Sequence, residues 1–142
     1  MIEGNKMVVN NDFFNYELPD DWCYEENEEN LSFYAPDGDG AMTVSFLRLQ
    51  ETAESLDEKV SIIAKKFIDQ NQISIKSPLI LSEDNNGKKV LFGEGTTDDG
   101  WFIKLWVVAK YNRIVLATYH SEHKNKEIQK CDSIINSLDI KF

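Results

Sequence analysis

Apolar residues crowd both sides of two consecutive segments in the last third of the chain. In residues 101–110, WFIKLWVVAK, every odd position is apolar (Trp101, Ile103, Leu105, Val107, Ala109), and the even positions add Phe102, Trp106 and Val108. In residues 113–121, Val115, Ala117 and Tyr119 fall on one side, and Ile114 and Leu116 on the other. The period of two makes both segments strands. A sheet with one wet face alternates cleanly between apolar and polar residues. These strands do not, so their sheet needs cover on both faces.

The cover comes from two amphipathic helices. Ser55-Leu56-Asp57-Glu58 is a capping box, in which the serine hydroxyl accepts from the third helical N–H and the glutamate reaches back. Val60, Ile63, Ala64 and Phe67 follow at helical spacing, with Leu56 one turn earlier, so a helix is predicted over 56–71. A second is predicted over 123–137, with Ile128, Cys131, Ile135 and Leu138 as its buried stripe and Ile134 beside it. Ile140 and Phe142 then belong to a short strand or a docked tail.

The remaining segments read as strands separated by turns. Residues 13–18 stop at Pro19-Asp20-Asp21, since proline cannot donate to a ladder. Residues 22–26 alternate aromatic and polar, 27–30 turn, and 31–35 end at Pro36-Asp37-Gly38-Asp39-Gly40. Residues 41–49 place Met42, Val44 and Phe46 on one face, and Ala41, Thr43, Ser45, Leu47 and Leu49 on the other. After a connector at 73–78, residues 79–83 and 88–96 form a hairpin around Asn85-Asn86-Gly87, where a type I′ turn with two positive-φ centres is expected. Asp98-Asp99-Gly100 and Tyr111-Asn112 turn the chain twice more, giving a four-strand antiparallel meander. Residues 1–11 read as a loose lead-in, and no linker divides the chain. The expected architecture is a single α+β domain over 1–142, an antiparallel β-sheet with a helix on each face: an α/β/α sandwich.

Charge narrows the function classes. The 142 residues carry a formal net charge of −10. Nucleic-acid and anionic-membrane surfaces repel such a chain and attract clustered Lys and Arg instead. The charge favours a basic protein partner. Residues 1–12 contain no apolar run of signal-peptide length. No segment approaches the roughly 20 apolar residues of a membrane helix. A cytoplasmic protein is expected. Cys23 and Cys131 are far apart and read as two buried, reduced thiols.

Candidate chemistry is sparse. His120 and His123 flank Glu122, but structural zinc wants four ligands and catalytic zinc three. In Asp37-Gly38-Asp39-Gly40 the next two positions are Ala41 and Met42, which breaks the calcium-loop pattern. Gly93-Glu94-Gly95 lies inside a strand, where glycine signals a bulge or a close backbone approach, and not at a strand-to-helix turn. No catalytic motif is present, so no cofactor, no metal and no enzymatic activity are expected.

The strongest candidate surface is the acidic stretch Asp20, Asp21, Glu25, Glu26, Glu28 and Glu29 around Trp22 and Tyr24. It reads either as a solvated strand and turn or as a docking patch for a basic partner, with Trp22 or Tyr24 as the anchor. Trp106 is a second anchor candidate, on a face expected to be only partly covered. The alternative is a small-ligand carrier or weak hydrolase, with a pocket between sheet and helix near Trp101, His120 and Glu122. A homodimer pairing through sheet faces or edges is a third option.

Three local features carry a resemblance: Phe13-Phe14-Asn15-Tyr16-Glu17-Leu18-Pro19 followed by Trp22, the turn Asp99-Gly100-Trp101, and the closing Ile134-Ile135-Asn136-Ser137-Leu138-Asp139-Ile140. With the element order, they resemble the PsbP-like (Mog/PsbP-type) superfamily, and within it a bacterial family of unknown function. The resemblance implies the superfamily's α+β fold. It also implies a non-catalytic binding protein, since members include a photosystem accessory subunit, a small-GTPase partner and chaperones of secreted toxins. No family binding residue maps onto a position of this chain.

Overall fold

The computed structural model describes residues 6–10, 14–19, 21–26, 30–49, 54–111 and 113–141. In chain order the elements are β1 (Lys6–Asn10), β2 (Phe14–Pro19), β3 (Cys23–Glu26), β4 (Leu31–Tyr34), β5 (Gly40–Arg48), α1 (Leu56–Gln70), β6 (Ser74–Ile75), β7 (Ile80–Glu83), β8 (Lys89–Thr96), β9 (Phe102–Lys110), β10 (Arg113–Ser121), α2 (Glu127–Ser137) and β11 (Asp139–Ile140). Phe13, Asp20, Glu28, Glu29, Asn112 and Phe142, named above, lie outside the described residues.

The main sheet is antiparallel in the order β3-β4-β5-β10-β9-β8-β6, with β7 also on β8. The expected meander is β7 to β10. The outer edge of β8 is shared. Ser74 and Ile75 pair with Thr96 and Gly95, and residues 80–83 pair with 92–89. A Cβ on Gly95 would stand 2.3 Å from the Ser74 carbonyl oxygen, so close backbone approach is the reason for glycine there.

A second sheet, β1-β2-β11, was not anticipated. Residues 6–10 are not a loose lead-in but a strand antiparallel to β2, in register from Lys6↔Pro19 to Asn10↔Asn15. The run Met7-Val8-Val9 is β-favouring but too short to read as a strand without its partner. On the other side of β2, Ile140 pairs with Phe14 and Asp139 with Asn15.

The sheet's two faces hold separate cores, as the double-sided apolar pattern requires. On one face lie Phe33, Met42, Val44, Trp106, Val108, Val115, Ala117 and Tyr119. They are roofed by α2 through Ile128, Cys131, Ile134 and Ile135, and by β2 through Phe14, Tyr16 and Leu18. On the other face Leu91, Leu105, Val107, Ala109 and Ile114 pack against Val60 and Ala64 of α1. Cys131 is buried, and burial pushes its thiol well above the usual range, which makes it inert. Cys23 is exposed on β3, contrary to expectation.

Both helix ends reflect local hydrogen bonding. At the start of α1 the Ser55 hydroxyl accepts from the Glu58 amide at 3.1 Å and donates to the Glu58 carboxylate at 3.4 Å, as the capping box predicts. α2 begins at Glu127, four residues later than expected, because Asn125 is spent otherwise. Its side-chain oxygen accepts from the Glu127 amide at 2.8 Å and its Nδ2 donates to the His123 carbonyl at 3.0 Å. At the far end of α2, Lys88 Nζ reaches across from the sheet and donates to the carbonyls of Ile135, Asn136 and Leu138 at 3.2, 3.2 and 2.9 Å. The hairpin before Lys88 differs from a type I′ turn. Only Gly87 has positive φ, and the Asp84 carboxylate organises the loop by accepting from the amides of Asn86 and Lys88.

Candidate functional site

α1 packs on β9 and β8. Beyond Ile114, which still lies under α1, no described residue covers the part of that sheet face built by the rest of β10 and by β5, β4 and β3. Side-chain alternation that sends Met42 and Val44 into the core sends Thr43 and Ser45 to this side. A row of paired residues crosses it: Thr118, Thr43, Ser32 and Glu25. Ala41, Leu47, His120, Cys23 and Glu25 are exposed on it, and Leu116, Ser45 and Tyr34 are half-buried.

At one end of this open face the Trp101 and His120 rings stack, with centroids 4.9 Å apart and planes at 29°. Beside them, where α1 ends, is a cleft of about 350 Å³ lined by Thr43, Phe67, Asp98, Asp99, Thr118 and His120 among others. At the other end the Tyr34 hydroxyl donates to Glu25 at 3.0 Å, and that bond holds the Tyr34 hydroxyl above the ordinary phenol range. Hydroxyls, carboxylates and a stacked aromatic pair suit recognition of a polar or cationic group.

Strand alternation divides the other candidates. Tyr24 and Glu26 pair with Phe33 and Leu31, so they lie on the opposite face of β3 from Glu25. Tyr24 is 43% exposed. Trp22, 3% exposed, is a core residue and offers no anchor to a partner. Its indole nitrogen and the Tyr16 hydroxyl are buried without a hydrogen-bond partner among the described residues. Burial, with the charges of Tyr24 and Glu26 adding to it, pushes the Tyr16 hydroxyl well up. Trp106 is 2% exposed beneath α2, so its ring offers no anchor to a partner, although a groove remains beside it on that face. Glu122 lies away from the Trp101–His120 pair. It lines a shallow cleft of about 160 Å³ with Asp39, His123 and Asn125.

Of the predicted ligand-pocket residues, therefore, only Trp101 and His120 come together. Sequence reasoning missed Thr118, Asp98 and Asp99 as their neighbours. The Thr-Ser pattern on one side of residues 41–49 was the available signal. No helix among the described residues is long and apolar enough to cross a membrane.

No protein-family model matches the chain, and no curated protein does. Solved structures do. Cyanobacterial PsbP from Synechocystis sp. PCC 6803 superposes with a TM-score of 0.68 at 10% identity, over 98% of this chain and 94% of that one. A mutant of the protein Mog1 gives 0.60 at 9% identity, over 96% of each. A protein of Bacteroides thetaiotaomicron VPI-5482 gives 0.59 at 15% identity over 99% of this chain, which spans only 50% of that protein. At such identities the likeness is one of fold. The order of strands, the two helices and these three superpositions agree on one conclusion: the chain has the PsbP/Mog1-like α+β fold.

Proposed function

We propose that the chain is a non-catalytic protein-binding module, an adaptor, chaperone or regulator of one partner. Its docking surface is the half-face of the sheet that α1 leaves open, continued onto the acidic edge strand β3. The observation that carries this reading is that no described residue roofs Thr118, Thr43, Ser32 and Glu25, a row of polar side chains across the sheet. Such a row is easily desolvated, and the exposed ring of Trp101, stacked on His120, stands at one end as an anchor. Glu25, Asp98 and Asp99 give the surface its sign, so the partner presents Lys or Arg.

A second copy of the chain suits β3 poorly. Antiparallel pairing of two β3 edges in the register that sets Glu25 opposite Glu26 of the second copy brings like charges together, and like charges directly opposite destabilise a sheet. The test is affinity capture from the host lysate at low and high salt, with wild type and with Glu25→Lys, Glu26→Lys, Asp98→Lys and Asp99→Lys combined. A stoichiometric partner that is lost at high salt and lost with the variant is the expected result. Capture unchanged by the four reversals would remove this surface from consideration.

A further inference from the structure

On the other face of the sheet, α2 does not cover the whole width of β8 and β7. A groove of about 330 Å³ remains between them, floored by Val90, Phe92, Lys104 and Trp106 and walled by Asp132 and Ile135, with Ser82 and Asn136 at its rim. That volume lies at the lower end of ligand pockets, about 300–1,000 Å³.

Its polar centre is an ion pair between a buried lysine and a half-exposed aspartate. Lys104 is 7% exposed. Its ammonium lies 2.9 Å from Asp132 Oδ1 and 5.2 Å from the ring centroids of both Phe92 and Trp106. The Trp106 indole N–H donates to the same Asp132 oxygen at 3.1 Å. Two consequences follow from this count. An ammonium has three N–H donors, and Asp132 takes one. No other oxygen among the described residues bonds to Lys104 Nζ. Both bonds to Asp132 fall on Oδ1, so Oδ2, on a side chain 42% exposed, is left for a donor from the groove.

A ligand entering this groove meets a positive and a negative group side by side. A simple carboxylate is attracted by Lys104 and repelled by Asp132. A simple amine meets the reverse. An uncharged apolar molecule removes water from both charges and returns nothing, a cost that buried charges do not tolerate. A zwitterion whose opposite charges are carried by groups on one carbon pairs with both. We propose that the groove binds a free α-amino acid with an apolar side chain. Its carboxylate takes the remaining N–H donors of Lys104, its ammonium donates to Asp132 Oδ2, and its side chain packs on Val90, Phe92 and Ile135. The site lies on the sheet face opposite the proposed docking surface and stands independently of it.

The test is isothermal titration of the full chain with L-phenylalanine and L-leucine. The comparison ligands are 3-phenylpropionate, which lacks the ammonium, and phenethylamine, which lacks the carboxylate. Saturable binding of the amino acids, at least about tenfold tighter than of either analogue, is expected. Asp132→Asn and Lys104→Met should each abolish that preference. Ser82→Trp, on the exposed edge strand, should block binding with the pair intact, which covers the case in which Lys104→Met does not fold. Absence of binding at millimolar amino acid overturns the proposal. So does equal binding of 3-phenylpropionate, or binding that survives Ser82→Trp.

Discussion

On the α2 side the main sheet is roofed by a helix and a second sheet; on the α1 side the described residues supply a helix alone. A helix with its side chains is about 10–12 Å across, and strands are spaced about 4.8 Å apart. One helix therefore covers little more than two strands. The main sheet has seven strands along its path, so a single helix must leave much of a face bare. On the α2 side the deficit is met by β2, whose Phe14, Tyr16 and Leu18 cover the β4–β5 half. On the α1 side nothing described meets it, and there the chain places Thr, Ser and Ala. Roof area decides the chemistry of each face.

Adjacent residues of β4 give the sharpest way to break that comparison. Phe33 faces the double roof and Ser32 the open half. Phe33→Ala should cost about 3–5 kcal/mol, and Ser32→Ala should stay within about 0.5 kcal/mol, both read from urea midpoints. Similar losses at the two positions would mean that the open face is covered in solution. A smaller effect separates the two helices. α2 is tied to the sheet by Lys88, whereas α1 closes on its own Asn71, whose side chain donates to Phe67 at 2.9 Å. Lys88→Met should cost about 1.5–3 kcal/mol and Asn71→Ala about 0.5–1.5 kcal/mol. Equal costs would show that the helices are anchored alike.

The mildest effect is an alkaline one. Burial foremost raises the hydroxyl pKa of Tyr16 and Tyr119 above the ordinary 10.0; at Tyr119 the bond to Glu127 adds to it. The folded state thus holds these protons more tightly than the unfolded chain does. Their contribution is complete below pH 10 and is lost as pH rises beyond it. Stability should be flat towards pH 10 and then fall. The phenolate absorbance of these two tyrosines should appear only with unfolding, and Tyr119→Phe should soften the fall. Phenolate signal from all five tyrosines in the folded state would contradict their burial.

The elements legible in the sequence are those with strong local signals. Both faces of β9 and β10, the capping box at Ser55 and the hairpin at Gly87 were readable from spacing alone. The second sheet was not, because β1 and β11 are short and become strands only by pairing with β2. Trp22 and Trp106 were misleading in the same way. A tryptophan beside acids or a lysine reads as surface, yet Trp22 points into the core and the indole of Trp106 finds a carboxylate under α2. Lys104 is a lone charge within an otherwise apolar strand. Its burial depends on Phe92 and Asp132, which lie far away in the chain, and no local pattern announces them.

The place of β2 between β1 and β11 also bears on how the chain comes into being. A ribosome delivers Phe14, Tyr16 and Leu18 well before α2 and β11, which complete their surroundings. The order of synthesis thus runs against the order of assembly, and contacts of such long sequence separation slow folding. The aromatic cluster of Phe14, Tyr16 and Phe33 waits without its roof until α2 has been made. In that interval, more than in the finished fold, this protein depends on being kept from its neighbours.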